Sequence, residues 1–266
     1  IMPSLVGSEM CIRDSGKAAR GSSDALAVVG GDGTVRLAVE ATIGTGTPLA
    51  VIPAGSGNDV ARTLGIPLGD PRAAAEVIVG GHRRQMDLGR VTFPDGRSAL
   101  FTTVAATGFD ASVTERAIGM SWPRGQARYT IAAMRELAAL RSRYYQVRVD
   151  DERVEGDVVF AAVGNTTSYG GGMQITPNAS IADGLLDVTL AHRPARFARA
   201  TMARVFPKVF SGKHITHPTV LTMRGREVEL YCDPPALVSV DGDLVGMLPA
   251  VFEAVPDAVE VFVPGH

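Results

Sequence analysis

Cysteine is scarce in this sequence: the 266 residues include two, Cys11 and Cys232. Neither lies in a CxxC pattern or at the spacing of a Cys/His metal site, which argues against a disulfide framework and against a zinc site. The five histidines are scattered and form no ligand pattern. Such sparing use of cysteine predicts a cytoplasmic protein.

Long apolar runs and an excess of positive charge are also missing. No stretch reaches the roughly 18 consecutive apolar residues of a membrane-spanning helix. The formal net charge of -2 argues against nucleic-acid binding, which uses a strongly basic surface. The 45% of hydrophobic and 20% of charged residues are ordinary for a globular protein long enough to bury a large core.

The first fifteen residues, 1–15, have neither a helical nor a strand period. Their string IMPSLVGSEMCIRDS resembles translated adapter DNA, and the alternative is a poorly ordered natural terminus. We therefore expect residues 1–15 to be a non-native or disordered segment outside the fold.

Residues 16–90 alternate between apolar runs and amphipathic segments. Two buried strands are predicted, Ala25–Val29 and Leu49–Ile52, each ending at a glycine-rich or proline turn. Three helices are predicted between and after them, at Val35–Thr42, Asp59–Leu64 and Pro71–Val79. Alternating strands and helices indicate an α/β domain with a parallel sheet.

The pattern changes after Asp87. Residues Ala99–Ala106 are predicted to form one strand, and Arg124–Tyr144 a helix with apolar residues at helical spacing. Short strands separated by turn residues follow, at 146–149, 158–163, 186–190, 227–231, 237–240 and 259–263. Many short strands with few helices predict a β-sandwich-like or barrel-like domain over residues 91–254.

Two glycine turns follow the two predicted parallel strands. Gly30-Gly31-Asp32-Gly33-Thr34 precedes one helix, and Pro53-Ala54-Gly55-Ser56-Gly57-Asn58-Asp59 precedes the next. Glycines let the backbone approach a phosphate, and helix N-termini offer unpaired N–H groups, although each turn alone is also compatible with a plain tight turn. Neither turn has the P-loop pattern or the G-x-G-x-x-G pattern of dinucleotide-binding proteins.

Three aspartates are candidates for chemistry elsewhere. Asp241, in Asp241-Gly242-Asp243, ends an apolar strand where a carboxylate could accept the proton of an attacking hydroxyl, and the alternative is an ordinary hairpin turn. Asp183-Gly184 is a second such turn. Asp87 follows the last helix of the first domain, where a solvated turn is the alternative.

These motifs resemble those of the diacylglycerol kinase catalytic family, which is related to sphingosine kinases and shares its fold with NAD kinases. GGDGT and PAGSGNDVAR resemble the family's two nucleotide motifs. The resemblance continues through the segments around Gly108-Phe109-Asp110, Gly170–Asp187, Gly212–Pro218 and Val240–Asp243, and covers residues from about 24 to 263. NAD kinases share GGDGT but not this later series.

The resemblance implies a fold of two domains. A parallel-sheet nucleotide domain over 16–90, joined by 255–266, precedes a β-sandwich-like, lipid-binding domain over 91–254. The family's first strand and its phosphate turn are absent, so the chain is expected to be truncated at its start and inactive as it stands.

The resemblance also implies roles for individual residues. ATP is expected to be held by the residues of both glycine turns, namely Gly31, Asp32, Gly33, Thr34, Gly55, Ser56, Gly57 and Asn58. Mg²⁺ is expected to face Asp32, Asp59 and Asp87, and a structural metal to be held by Asp183 and the carbonyls of Ser180 and Leu185. The catalytic residues are expected to be Asp241 and Asp243. Because the family usually has Glu where Asp243 stands, the base is placed on Asp241.

The implied function is an ATP-dependent lipid kinase that transfers the γ-phosphoryl group to a lipid hydroxyl such as that of diacylglycerol. Its partners would be a lipid with a free hydroxyl and, through peripheral contact, the inner surface of the membrane; a homodimer is a further option. Arginines over the predicted helix region could face an anionic membrane, but such a set more often forms a solvated helix face: Arg116, Arg124, Arg128, Arg135, Arg141 and Arg143. The alternatives are a non-catalytic lipid- or nucleotide-binding relative and an NAD kinase-like enzyme.

Overall fold

The computed structural model describes residues 24–120, 122, 132, 135–136 and 139–265. The segment 1–15 and most of the helix predicted for Arg124–Tyr144 therefore lie outside the described residues. The chain divides into two compact units. The first comprises the chain up to Leu88, Ile181–Gly184 and the chain from Val255 onward, and the second comprises Gly89–Ser180 and Leu185–Ala254. Among the described residues, no helix is both long enough and apolar enough to cross a membrane.

The first unit alternates strands and helices, as the sequence predicts. Its elements in chain order are β1 (Leu26–Gly30), α1 (Asp32–Thr42), β2 (Leu49–Pro53), α2 (Asp59–Thr63) and α3 (Pro71–Gly80). β1 and β2 pair in parallel, with Leu26 opposite Leu49 and Gly30 opposite Pro53. Val261, in the last strand of the chain, also pairs in parallel with β2.

Local sequence explains the helices of this unit. α1 buries Val35, Ala38 and Val39, which recur at helical spacing and pack on the sheet. α3 begins where the Asp70 carboxylate accepts hydrogen bonds from two main-chain N–H groups of the first turn, with Pro71 as first helical residue. It ends at Gly81, whose φ of 71° is left-handed.

The carboxylate of Asp87 joins three segments of the first unit. Asp87 lies on strand β3 (Arg83–Thr92) and is 1% exposed, so it is not a solvated turn residue. Its Oδ2 accepts from the Gly184 N–H at 2.7 Å and its Oδ1 from the Asp257 N–H at 2.8 Å. Its own N–H donates to the Ile181 carbonyl. Main-chain donors of two distant segments thus find their partner in one buried side chain.

The second unit is mainly antiparallel sheet. Its strands are β4 (Ser98–Phe101), β5 (Val104–Gly108), β6 (Arg143–Val149), β7 (Glu152–Gly164), β8 (Leu186–His192), β9 (Val220–Gly225), β10 (Glu227–Asp233), β11 (Leu237–Val240) and β12 (Asp243–Met247). The strands pair in the order β10-β6-β7-β5-β11-β12, while β8 pairs with both β7 and β9. The last strand, β13 (Ala250–Phe262), begins in this unit beside β10 and continues into the first unit.

Within the described residues of the second unit, the bounds of two α-helices are defined. α4 (Phe109–Ile118) follows β5, and α5 (Ala198–Val205) follows β8. Two short 3₁₀ helices come next, Phe206–Ser211 and Lys213–Thr216. The core of the unit consists of alternate strand residues such as Tyr145, because every second side chain of a half-buried strand points inward.

Several predicted boundaries are wrong. The single strand expected over Ala99–Ala106 is two, because the chain breaks at Thr102-Thr103, where both N–H groups turn to a carboxylate instead of a neighbouring strand. The helix expected to reach Tyr144 ends earlier, since β6 begins at Arg143 and buries alternate residues. Three strands escaped the sequence analysis: β3, β9 and β12.

A glycine contact fixes the pairing of β3 with β4. Gly89 stands opposite Phe101, and a Cβ at Gly89 would lie 2.0 Å from Cζ of the phenyl ring. An alanine there would therefore collide with a fully buried side chain and destabilise the second unit by about 1–3 kcal/mol.

His214 is a buried neutral base in the second unit. It is 2% exposed, and its Nε2 lies 3.1 Å from the carbonyl oxygen of Ile175, so Nε2 carries the proton. Its Nδ1 has no hydrogen-bond partner among the described residues. Burial lowers the pKa of this imidazole, since a second proton would place an unpaired donor in the core.

We predict that His214 makes the protein less stable in mild acid. The unfolded imidazole takes up a proton below its ordinary pKa of about 6.5, whereas the folded one resists it, so stability is retained above that pH and lost as pH falls. Urea unfolding between pH 7.5 and pH 5, at about half-unit steps, should show a smaller loss in His214→Gln than in the parent. The exposed residue His82 supplies the control, because His82→Gln should leave the slope unchanged. Equal slopes for His214→Gln and the parent would contradict the assignment.

We predict that Asp87→Asn destabilises the first unit by about 2–4 kcal/mol, because the amide NH₂ group would face one of the two main-chain N–H groups that the buried carboxylate now accepts. Glu76→Gln is the control, as its ion pair with Arg72 is exposed and contributes little. Unfolding is measured in EDTA and in Mg²⁺. A loss that appears only in Mg²⁺ would show that Asp87 acts through a metal rather than through these hydrogen bonds.

Candidate functional site

The two glycine turns pack backbone against backbone in the first unit. They follow β1 and β2, and the Ala54 N–H donates to the Gly30 carbonyl at 2.9 Å. A Cβ added to Gly55 would lie 2.4 Å from Cα of Gly31, and one added to Gly31 would lie 3.0 Å from Cα of Gly55. No larger residue fits Gly55 without parting the turns, so close packing itself requires a glycine there.

Asn58 closes the second turn. Its Oδ1 accepts from the Gly55 N–H at 2.9 Å and its Nδ2 donates to the Gly55 carbonyl at 2.7 Å. Its φ of 56° is left-handed, a conformation that Asn tolerates better than most residues. Asn58 therefore holds the turn in shape, while Ser56 is exposed and Gly57 accepts from an arginine, Arg62.

Asp32 links the starts of two helices. It is the first residue of α1, and its Oδ1 accepts from the Val60 N–H of α2 at 3.0 Å. The Thr34 side chain packs against Gly30, where an added Cβ would lie 2.6 Å from Cβ of Thr34. The structure thus brings Asp32 and the paired turns together at the ends of two neighbouring parallel strands.

Gly33 leaves open space at the start of α1. It is exposed, and a Cβ added there would meet no heavy atom within 4 Å. The first-turn N–H groups of a helix carry positive dipole potential, and glycine lets an anion approach the backbone closely. This surface suits a phosphate group, which is the chemistry expected from the sequence.

The acidic residues expected to bind metal differ in their exposure and in their contacts. Asp59 is 1% exposed, with its Oδ1 3.8 Å from Nε of Arg62. Asp87 accepts the two main-chain hydrogen bonds described above. Asp183 is exposed in the first unit, whereas Ser180 and Leu185 belong to the second. In the described part of the chain, no group of three or more His, Cys, Asp or Glu residues could hold a metal ion.

Asp241 forms the turn between β11 and β12 in the second unit. Its φ of 49° and that of Gly242, 91°, are both left-handed, as a two-residue hairpin requires. Its Oδ2 accepts from N and Oγ1 of Thr102 at 2.8 and 3.0 Å, and its Oδ1 from N and Oγ1 of Thr103 at 2.8 and 2.5 Å. Four donors therefore hold one carboxylate.

The partners of Asp241 were missed by the sequence analysis. Thr102 and Thr103 are 1% and 2% exposed and are themselves held by Asn165, whose Nδ2 donates to the Thr102 carbonyl and whose N–H donates to the Thr103 carbonyl. The signal was present as two adjacent threonines inside an apolar run, since polar residues buried at such a place need partners. Asp243 is exposed and begins β12.

A separate groove crosses the second unit. It has a volume of about 790 Å³, and its walls include Phe93, Val147 and Pro249. An ion pair of Arg148 with Glu229 lies on its lining, and Arg148 lowers the pKa of that glutamate. None of the predicted catalytic, nucleotide or metal residues lines this groove.

Comparison with known proteins gives matches along nearly the whole chain. Residues 12–91 match the diacylglycerol kinase catalytic domain, and residues 103–263 match the YegS C-terminal NAD kinase β-sandwich-like domain. A diacylglycerol kinase of Mycobacterium tuberculosis (strain CDC 1551 / Oshkosh) is 44% identical over 92% of this chain and 78% of its own length. A diacylglycerol kinase of Bacillus subtilis (strain 168) is 29% identical over 96% of this chain and 84% of its own length.

The fold also matches that of a solved structure. A crystal structure of a diacylglycerol kinase from Bacillus anthracis str. Sterne matches with a TM-score of 0.69 at 18% identity, covering 99% of this chain and 89% of that one. The predicted fold class, an α/β domain followed by a β-sandwich-like domain, is confirmed. On these matches, the chain belongs to the diacylglycerol kinase family of lipid kinases.

Proposed function

We propose that this protein is an ATP-dependent lipid kinase, which transfers the γ-phosphoryl group of ATP to the free hydroxyl of a lipid such as diacylglycerol. The observation that carries the proposal is the backbone packing of Gly31 against Gly55 beside the open start of α1. In a chain that belongs to this family, a surface suited to phosphate is most simply explained as the nucleotide site.

ATP would meet this surface through its phosphates. Main-chain N–H groups of the first turn of α1 would donate to phosphate oxygens, since Gly33 leaves room for close approach. The set that we propose for nucleotide binding is that of the two turns: Gly31, Asp32, Gly33, Thr34, Gly55, Ser56, Gly57 and Asn58. Asn58 would contribute by shaping the turn, because both polar atoms of its amide bind Gly55.

The acidic residues fit a Mg²⁺ that arrives with the nucleotide better than one held by the protein alone. Mg²⁺ keeps several waters and takes phosphate oxygens, so one or two carboxylates suffice. Asp32 adjoins the paired turns and accepts a main-chain hydrogen bond at Oδ1, and Asp59 directly follows Asn58. By contrast, both oxygens of Asp87 accept main-chain hydrogen bonds. We therefore propose Asp32 and Asp59 as the residues that face it; the ion would offset phosphate charge. The metal role of Asp183 stays a prediction.

Asp241 would take the proton of the attacking hydroxyl. The lipid oxygen bonds to the γ-phosphorus as the bond from that phosphorus to the β–γ bridging oxygen breaks, and the hydroxyl proton passes to the carboxylate. Asp241 already accepts four hydrogen bonds, so one of them must break before the carboxylate can take a proton. The hydroxyls of Thr102 and Thr103 can rotate away whereas main-chain N–H groups cannot, which makes a threonine hydroxyl the donor that yields.

A non-catalytic lipid- or nucleotide-binding relative is the second candidate. The observation that favours it is the same set of four hydrogen bonds, because a carboxylate so fully occupied can serve simply to hold the turn at Thr102-Thr103. Asp243 is exposed and one methylene shorter than the glutamate usual in the family. Turnover distinguishes the two candidates, because only the first transfers a phosphoryl group. The homodimer stays a prediction.

We predict that Gly33→Ala weakens ATP binding without loosening the fold. The added methyl has open space in the structure and favours the helix by up to about 1 kcal/mol, but it stands where a phosphate would approach. Loss of even one hydrogen bond to a charged group should raise the Kd for ATP at least about tenfold. Titration calorimetry gives the Kd, and thermal unfolding without nucleotide gives the stability.

The control for this prediction is Gly80→Ala at the end of α3. A Cβ there meets nothing closer than 3.7 Å, and the residue is remote in sequence from both turns, so affinity should not change. Unchanged ATP affinity in Gly33→Ala would remove the start of α1 from the nucleotide site.

We predict that Asp241→Asn lowers turnover by about 100- to 10,000-fold, the usual contribution of a positioned base, while ATP still binds. The NH₂ group of the asparagine would also face hydrogen-bond donors of Thr102 or Thr103, so some stability is lost. Gly89→Ala is the control for lost stability, because it strains the second unit at Phe101 and keeps the Asp241 carboxylate. Phosphate transfer from ATP to diacylglycerol in mixed micelles is the measurement, well below both melting temperatures.

The assay should compare the 266-residue chain with a form extended to the length of the curated relatives that it matches, of which it covers 78% and 84%. The variants are made in that extended form, and turnover by the 266-residue chain tests the expectation that it is inactive as it stands. Turnover of Asp241→Asn equal to that of Gly89→Ala would exclude Asp241 as the base.

A further inference from the structure

An unusually basic segment covers one surface of the second unit. Between Arg193 and Lys213 the sequence contains no Asp or Glu. It contains six basic residues, Arg193, Arg196, Arg199, Arg204, Lys208 and Lys213. Because the whole chain carries a net charge of -2, this concentration is local rather than a property of the protein as a whole.

All six basic side chains belong to exposed residues. Within the ranges that the structure describes, none of the six forms an ion pair, although surface arginines elsewhere in the chain do so, as Arg72 does with Glu76. Arg193 donates to the Ser142 hydroxyl at 3.3 Å. The positive charge of the segment is therefore not neutralised by neighbouring carboxylates in the described chain.

The segment is amphipathic, with apolar residues buried on one side and basic residues exposed. Helix α5 and the 3₁₀ helix after it bury Met202, Val205 and Val209, and of these Met202 and Val209 pack into the core of the second unit. Arg204 lies on the side of α5 away from Met202, whereas Arg199, three residues before Met202, lies at the edge of the buried face. Both arginines are exposed, so both charges are available at the surface.

Two large aromatic side chains are exposed within the same segment. Phe197, which immediately precedes α5, is 85% exposed, and Phe210 is 58% exposed. By contrast, Phe206 between them packs edge-to-face on Phe109, with ring centroids 5.8 Å apart. Two exposed phenylalanines among unpaired cations combine apolar and positive surface, the pair of features with which proteins bind anionic lipid surfaces.

We propose that residues 193–213, here called the basic segment, dock the protein on an anionic bilayer. The cations lie at the lipid headgroups, and Phe197 and Phe210 insert among the upper acyl chains. A bilayer is favoured over an acidic protein because the aromatic groups are scattered singly among the charges and form no groove. Only the choice of a bilayer as the partner rests on the proposed lipid kinase function. The inference assigns membrane contact to α5 and its neighbours, where the cations are unpaired among the described residues, whereas Arg116 pairs with Glu136.

The experiment measures binding of this protein, without nucleotide, to sedimenting vesicles. One set is phosphatidylcholine, and in the other part of it is replaced by phosphatidylglycerol. The parent should bind the second set and scarcely the first. Raising salt from about 0.1 M to about 1 M should release it, because the screening length falls from about 10 Å to about 3 Å.

Two variants locate the surface. Each arginine near an anionic membrane contributes about fivefold to binding, so Arg199→Gln with Arg204→Gln should weaken it by about 25-fold. Phe197→Ser should weaken it by about tenfold. The matched controls lie on α3 of the first unit, where Arg72→Gln and Val79→Ser change side chains that are 91% and 88% exposed. Both controls should bind as the parent does, and all variants should unfold at the parent's temperature.

Three results would overturn the proposal. Equal binding to both vesicle sets would remove the charge argument, and anionic binding that survives both variants would place the contact elsewhere. A dimer in solution that Phe197→Ser dissociates, with no vesicle binding, would make the basic segment a self-interface. Kinase activity in detergent micelles is measured in parallel, so loss of vesicle binding with intact micellar turnover refutes this inference alone.

Discussion

Three segments of the first unit are joined by the buried carboxylate of Asp87. Asp87 accepts hydrogen bonds from the main-chain N–H groups of Gly184 and Asp257, so strand β3, the short stretch Ile181–Gly184 and the second half of β13 share one acceptor. These segments are far apart in sequence, and a buried carboxylate without donors would be costly. The second unit uses the same arrangement at Asp241, which gathers the N–H and hydroxyl groups of Thr102 and Thr103.

The glycine turns add a steric constraint to this electrostatic one. Gly31 and Gly55 approach so closely that a side chain at Gly55 cannot be accommodated, and Asn58 then fixes the second turn by binding both polar groups of Gly55. Two parallel strands thereby end at one compact surface beside the open start of α1. In the function proposed above, that surface would bind the phosphates of ATP, and Asp241 would remove the proton of the lipid hydroxyl.

The sequence was informative where local pattern decides structure. Alternation of apolar strands and amphipathic helices predicted the first unit, and Asp-Gly predicted the hairpin at Asp241, because neighbouring residues suffice for both. The sequence did not predict features that depend on contacts between residues far apart in the chain. The break at Thr102-Thr103 depends on Asp241, and the burial of Asp87 depends on Gly184 and Asp257, so neither was visible in the local pattern. The basic segment was overlooked because its charges are spread over three short elements instead of one long helix.

The most direct test of the central claim follows labelled γ-phosphate of ATP into the lipid fraction, with this protein and diacylglycerol in mixed micelles. The account predicts a phosphorylated lipid whose formation requires the Asp241 carboxylate and persists in the Gly89→Ala protein, which is also destabilised but keeps that carboxylate. Saturable ATP binding with no lipid phosphate formed from diacylglycerol or from other hydroxyl-bearing lipids would contradict it, and would identify the protein as a non-catalytic member of its family.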